Sequence, residues 1–528
     1  MVNTTLFRTY SGARLPGTDT IHEAGGNAYA FSAEHALAQL AVTGCLGATY
    51  YATDENQLEQ TLALATKVDP VFLAKTALYA RREAHMKDMP ALLVAVLSLR
   101  DPTLFAKVFP RVVDNARMVR TFVQIVRSGR IGRKSLGTRP KRAVRGWLDA
   151  QDDDELFRAS IGERPSLADV VKMVHPKPLT PARRALYAYL IGRTYDAKDL
   201  PPLVRAFEQY KTDVTGEVPD VPYQLLTSLP LGTNEWVEIA KHAGWQVTRM
   251  NLATFARHGV FGVPGMPELI AERLRDREAI AKSRVFPYQL LIAYVATRGS
   301  DLPRVVVEAL HDALEMAIAN VPRVEGRVWV LPDVSGSMQS PVTGDRGEGQ
   351  TTAVRCVDVA ALIAASFLRT ATHARVLPFD DRLRDVVLEP RDTVLTNATK
   401  LAAVGGGGTS VSLPLAHLNE KREHADLVVY VSDNQSWVDA SARGSASGHG
   451  ASATMTEWAK LKARCPRAKL VCIDLQPYAH TQAPDRDDVL NVGGFSDRVF
   501  DVIAAFAQAR GEGAGWVDVI QRMEIETA

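Results

Sequence analysis

The sequence predicts an α-helical array followed by a doubly wound α/β domain. Three observations carry this. A chain of 528 residues is too long for one ordinary core, so two or more domains are expected. Up to about residue 320, apolar residues recur at spacings of three and four, punctuated by Pro, Gly or Asp. Beyond Val324, short continuous apolar runs alternate with amphipathic stretches, the pattern of buried parallel strands joined by helices. The boundary predicts domains at 1–324 and 325–528.

In the first part, "SAEHALAQLAVTG" starts with a serine N-cap and carries Glu34 in its first turn. "PVFLAKTALYARREAHM", "PALLVAVLSLR", "DNARMVRTFVQIVRSG", "SLADVVKMVH" and "LPRVVVEALHDALEMAIA" repeat the habit. Many helices with short joints predict stacked pairs, an α-solenoid, although no strict sequence period is present. In the second part "RVWVL", "ARVLPF", "RDVVLEP", "DLVVYVS" and "AKLVCIDL" are expected strands. "AVRCVDVAALIAASFLRT", "MTEWAKLKARC" and "SDRVFDVIAAFAQAR" are expected helices, and the small polar "DASARGSASGHGASATM" a mobile surface loop.

Hydrophobic content of 46% and charged content of 23% describe a soluble globular protein. No apolar run is long enough to span a bilayer, and the N-terminus lacks the basic and apolar regions of a secretory signal. Cys45, Cys356, Cys465 and Cys472 show no metal-ligand spacing, which points to reduced thiols in a cytoplasm. Residues 325–528 carry 21 Lys and Arg against 26 Asp and Glu, a net of −5. That leaves 41 against 34, a net of +7, for residues 1–324, the better candidate for meeting a polyanion.

The stretch "VWVLPDVSGSM" ends an apolar strand on Asp333, Ser335 and Ser337. Ligands of open α/β sheets sit beyond the carboxyl ends of the strands. One carboxylate and two hydroxyls there supply the hard oxygen ligands that Mg²⁺ takes. "GGGGTS" adds Thr409 after glycines that let the backbone approach closely, and "VVYVSDNQSW" adds Asp433 at another strand end. The plainer alternative is a turn, since Asp, Ser and Gly all favour turns. A nucleophilic serine fits poorly, because the stretch is not G-x-S-x-G and no histidine stands at a comparable strand end.

This order of D-x-S-x-S, threonine loop and later aspartate resembles the metal-ion-dependent adhesion site of von Willebrand factor A domains, over residues 325–528. The resemblance implies one Mg²⁺ (or Mn²⁺) held by Asp333, Ser335, Ser337, Thr409 and Asp433, with a coordination position open to a partner carboxylate. The last motif departs from adhesive members in being followed by Asn434–Gln435 rather than glycine.

The densest positive stretch is "RSGRIGRKSLGTRPKRAVRGW", which carries Arg133, Lys134, Arg139, Lys141, Arg142 and Arg145 and no acid. Such a run either contacts phosphates or is a solvated face. "LFRASIGERPSLADVVKMVHPKP" continues it with Arg158, Arg164, Lys172 and His175. His175 ends a helix, where a cap or packing role competes with a ligand contact. Trp147, Tyr187 and Tyr189 could stack on bases, but aromatics at helical spacing are usually core.

Together the halves resemble the Ro autoantigen family, in particular its bacterial members, with a helical TROVE module before the A domain. "QLAVTGCLGATYY", "GRKSLGTRPKRAVRGW", "SLADVVKMVHPKP" and "DRDDVLNVGGFSDRVFDVI" carry the resemblance, which spans nearly the whole chain. It implies a closed ring of HEAT-like repeats whose ends the A domain joins. It further implies that small noncoding Y RNA binds the outer surface, while single-stranded ends of misfolded RNA enter a basic central hole. Arg158, Lys172 and His175 match basic positions of the family's RNA surface, and Arg164 lies near another. An exoribonuclease such as polynucleotide phosphorylase, tethered by Y RNA, is an implied partner.

The expected function is therefore non-enzymatic RNA binding by a cytoplasmic monomer, serving RNA quality control, processing and stress response. No triad, phosphate-binding glycine loop or two-metal carboxylate site is visible. The rival from another class is a protein-interaction scaffold whose A domain binds acidic partners through Mg²⁺. The acid-free basic run favours RNA, because a protein scaffold has no need of it. A further rival, an A-domain subunit of a metal-chelatase machine, requires a separate ATPase.

Overall fold

The computed structural model describes residues 15–22, 25–44, 46–214, 217–226, 229–283, 285, 287–297, 301–318, 321–345, 353–436, 451–494, 498–508 and 515–525. Most of the expected surface loop at 439–455 lies outside them, and its last residues begin the helix Ala453–Arg464. Cys45 also lies outside. Cys356, Cys465 and Cys472 are buried free thiols.

The helical half is built on caps that the sequence advertises. The Ser32 hydroxyl accepts from His35 N at 3.1 Å and opens the helix Ala33–Thr43. Asp69, Asp101 and Asn115 cap Pro70–Arg82, Pro102–Val112 and Ala116–Arg127 in the same way. The helix Asp88–Arg100 is apolar all round, and residues 89–98 are buried on every face. Such a helix must sit at the centre of a bundle, and it packs against the three helices just named. Phe105, Phe109 and Phe122 fill the space beside it, with ring centroids 5.0–5.9 Å apart.

The strands, in chain order, are β1 (Thr20–Ile21), β2 (Asn27–Ala30), β3 (Arg327–Pro332), β4 (His373–Val376), β5 (Leu427–Ser432), β6 (Lys469–Asp474), β7 (His480–Thr481) and β8 (Val489–Gly493). The main sheet is parallel throughout, with order β4-β3-β5-β6-β8. The direction of winding therefore reverses between β3 and β5, and this is the switch point where open α/β sheets hold ligands. All six residues of β5 are buried, as a central strand covered on both faces requires.

The strand expected over "RDVVLEP" does not form. The Arg384 N–H turns back to Pro378 O at 2.9 Å and Phe379 bridges Leu383, so the chain folds over at the sheet edge beside β4. Val387 is left 84% exposed, and no strand among the described residues pairs with the segment.

Both ends of the helical array are tied to the α/β half. At one end β2 pairs with β7, and the helix Ala33–Thr43 packs on β8 and on the helix Trp516–Gln521. Trp516 Nε1 donates to the Tyr79 hydroxyl at 3.1 Å. At the other end, Pro287–Thr297 packs on Cys356–Thr370 and Arg304–Ile318 on Val394–Ala402. There Val394 N donates to Glu315 Oε1 at 2.6 Å. The chain closes on itself through the α/β half.

Candidate metal centre and basic face

Asp333, Ser335, Ser337 and Asp433 gather at the switch point, and Thr409 is buried in a loop bonded to the serine loop. Asp333 follows β3 and Asp433 follows β5, both carried past the sheet edge by their strands. Their exposures are 0% and 2%, and those of Ser335, Ser337 and Thr409 are 0%, 6% and 2%. Asp333 Oδ1 accepts from Ser335 N at 2.8 Å, and Oδ2 accepts from the Ser432 hydroxyl at 2.6 Å. Ser335 and Ser337 hydroxyls stand 3.3 Å apart, with Ser337 beside the Asp433 carboxylate.

The threonine loop is strapped to the serine loop. Gly336 N donates to Gly407 O at 2.9 Å and Gly406 N to Val334 O at 2.7 Å. Gly405, at φ +95°, leaves no room for a side chain: a Cβ would lie 2.1 Å from Val334 O. Gly405→Ala is expected to destabilise the α/β half by about 2–4 kcal/mol, measured by chemical denaturation.

Two buried acids with no basic partner among the described residues shape the electrostatics. Burial pushes Asp333 up to about 6, with the charge of Asp380 adding to it. Burial, then the charge of Asp333, pushes Asp433 up to about 7. Asp380 at the same rim shows the contrast. Burial works against its charge, but the Arg384 guanidinium and the N–H groups of Arg382 and Gly407 outweigh that and hold it below the usual range. Desolvated like charges favour a nearby cation. A set of two carboxylates and three hydroxyls is the donor chemistry of a hard divalent ion rather than of Zn²⁺. The described residues hold no cluster of three or more His, Cys, Asp or Glu suited to a metal.

Asn434 explains the departure after the last motif. It sits at φ +60°, the left-handed region where asparagine can stand in for glycine. Its amide bonds the Asp474 carboxylate, and Gln435 bridges His22 at 3.1 Å and His480 at 2.9 Å.

Sequence reasoning missed Ser432 and, more consequentially, Tyr51. The Tyr51 phenol lies beside Ser337, and burial, then the charge of Asp433, pushes it up to about 12. The only signal is the Tyr50–Tyr51 pair in "GATYY", far from the other site residues in sequence.

The basic residues occupy consecutive elements. Arg133 and Lys134 lie in the loop before the helix Thr138–Ala150, which carries Arg139, Lys141, Arg142 and Arg145. Lys134, Arg139 and Arg142 are exposed, while Arg133, Lys141 and Arg145 are half-buried. Arg145 bonds Val174 O at the end of Leu167–Val174, which bears exposed Lys172. His175 caps that helix in the left-handed conformation, φ +50°, with its side chain exposed. Arg164 is exposed in the preceding loop. Among the predicted RNA residues, Arg158 is the one with an ion pair to a described residue, Asp220 at 2.8 Å. Trp147 and Tyr187 are buried core, and the Tyr189 hydroxyl is bonded to Glu208.

A helical array closed by a parallel α/β sheet with this site defines a class, and comparison with known proteins agrees. Residues 327–507 match the model of the Ro60 vWA domain, so this part of the chain is a von Willebrand factor A domain of Ro60 type. Over 96% of its length the chain is 27% identical to the RNA-binding protein RO60 of Deinococcus radiodurans, covering 99% of that protein. It is 25% identical to the RNA-binding protein RO60 of Caenorhabditis elegans over 32% of this chain and 26% of that one. The crystal structure of the D. radiodurans RO (RSR) protein shares the fold, with a TM-score of 0.60 at 22% identity over 90% of this chain and 99% of that one. The resemblance to the Ro family thus holds along nearly the whole chain. No helix among the described residues is long and apolar enough to cross a membrane.

Proposed function

We propose that this chain is a non-enzymatic, cytoplasmic RNA-binding protein of Ro type. The observation that carries the reading is the series of exposed basic residues Lys134, Arg139, Arg142, Arg164 and Lys172, on a chain similar over nearly its whole length to a protein named for RNA binding. Y RNA would lie on this outer face through phosphate contacts, which have no sequence preference of their own. Single-stranded 3′ ends of misfolded RNA would enter a central hole too narrow for a duplex, so binding would sort RNAs by end structure. An exoribonuclease tethered by Y RNA fits the same role in quality control and stress response.

The metal centre would hold one Mg²⁺, or Mn²⁺, through Asp333, Ser335, Ser337, Thr409 and Asp433. The ion would supply charge neutralisation to the two buried acids and a fixed geometry to the loops after β3 and β5.

The test is competition with one hairpin bearing 3′ tails of zero, four or ten nucleotides at two salt concentrations. The ten-nucleotide tail should bind tightest, and its advantage should persist where salt weakens all three, because phosphate contacts are salt-sensitive and exclusion of a duplex is not. Equal affinities at both salts would leave only an outer-face carrier.

A further inference from the structure

Residues 47–52 of the helical half pack against the loop that follows the serine ligands. Ala48 bridges Asp345 on the same loop as the serine ligands. Ala48 N donates to Asp345 O at 3.0 Å, and Asp345 N to Ala48 O at 2.7 Å. The approach is close at Gly344, φ +71°, where a Cβ would stand 2.8 Å from the Gly47 carbonyl. Behind the segment, Gln57 Nε2 donates to Gly47 O at 2.6 Å and fixes it to the helix Asp54–Lys67.

A turn then decides which tyrosine faces the site. Thr49 N donates to Ala52 O at 2.8 Å, and Ala52 N to Thr49 Oγ1 at 3.1 Å. The turn sends Tyr50 out, 61% exposed, and Tyr51 in, half-buried, with its phenol beside Ser337 and near enough to feel the charges of Asp433 and Asp333. Tyr478, from the loop after β6, packs edge-on to Tyr51 at 6.2 Å, and its hydroxyl reaches Thr49 Oγ1 at 3.3 Å. Two elements thus hold the ring in place.

We propose that the partner of the metal centre's outer face is this chain's own Gly47–Tyr51 segment, with the Tyr51 phenol standing where a partner carboxylate would approach. The inference rests on the metal reading and alters its meaning. An adhesion site must present its ion to another molecule, yet here no predicted ligand is more than 6% exposed. The centre becomes a clasp between the helical half and the A domain. A phenol is neutral and can bond a hydroxyl or an ion-bound water without adding charge to a site that already has two acids. An outside acidic partner would first have to lift the segment away, breaking the Ala48–Asp345 bridge.

The experiment titrates the full chain with Mn²⁺, followed by electron paramagnetic resonance, with and without acetate as the carboxylate probe. Acetate should leave the affinity of the unaltered chain unchanged and raise that of Tyr51→Ala by roughly fivefold or more, since only the variant has a free approach. Equal enhancement in both would show that the face is already open and would overturn the clasp while leaving the metal reading intact. Should the unaltered chain bind Mn²⁺ no better than Asp333→Ala, the metal reading fails, and hydrogen exchange in EDTA then decides the contact. Faster exchange of the 333–339 amides in Tyr51→Ala supports a covering segment, and unchanged exchange removes it. If Tyr51→Ala folds poorly, Ala48→Pro, which deletes one bridge N–H, is read by the same two measurements.

Discussion

Asp433→Asn is expected to raise the melting temperature of the EDTA-treated protein and to abolish the further rise that Mg²⁺ gives the unaltered chain. Both effects come from one cause. Asp433 and Asp333 are 2% and 0% exposed, and neither has a basic partner among the described residues. Two desolvated carboxylates facing each other cost stability unless a cation lies between them. Asparagine keeps the shape, and its carbonyl can still accept from Gln435 N, 3.3 Å away in the unaltered chain. It removes one charge, so the metal-free fold gains what repulsion and desolvation had cost. If the A domain melts as its own unit, the shift should be roughly 2–4 °C per kcal/mol recovered. The same change removes one of two anionic ligands, so Mg²⁺ binds too weakly to add stability by mass action. Calorimetric scans of both proteins, with EDTA and with Mg²⁺, check this. A lower melting temperature for the EDTA-treated variant would mean that the carboxylate's hydrogen bonds outweigh its isolation.

How much of this is legible in the sequence depends on distance along the chain. Asp333, Ser335 and Ser337 stand together after an apolar run, and a buried parallel strand announces both itself and the loop at its carboxyl end. Asp433 follows from the same rule. Tyr51 cannot be found that way, because nothing local says that a turn near the N-terminus will rest on a loop nearly 300 residues later. The pairing of β2 with β7 escapes for the same reason: strands of four and two residues carry no usable periodicity. The five residues of β8 are hardly more informative, since they sit inside a stretch whose only sequence signal is its family resemblance. "RDVVLEP" fails in the opposite direction. Its composition suits a strand, but a strand needs a neighbour, and the fold-back at Phe379–Leu383 leaves none. Asn434 reads as a departure from the adhesive pattern until its backbone shows why asparagine suffices there.

The double substitution Arg139→Ala/Arg142→Ala should weaken Y-like RNA binding at every sequence tested and make the remaining affinity less sensitive to salt. Both guanidinium groups are exposed on Thr138–Ala150, and neither has an ion pair among the described residues. They are therefore available to phosphate at no cost beyond their own ordering. Removing one cation from a phosphate should lower the slope of log affinity against log salt by about 0.9 on a duplex and about 0.7 on a single strand. Arg158 provides the internal contrast. Its guanidinium is already paired with Asp220, Nη2 to Oδ2 at 2.8 Å and Nε to the Asp220 carbonyl at 3.1 Å. To reach RNA it must first leave that carboxylate, so Arg158→Ala should cost less affinity per residue than the exposed pair. Asp220→Ala should tighten binding by freeing it. Filter-binding titrations at four salt concentrations, on the unaltered chain and the three variants, read both affinity and slope. An unchanged slope in the double variant would remove this helix from the RNA surface, whatever happened to the affinity. A loss in Arg158→Ala equal to that of the double variant would place the RNA instead along the Asp153–Arg158 side of the array.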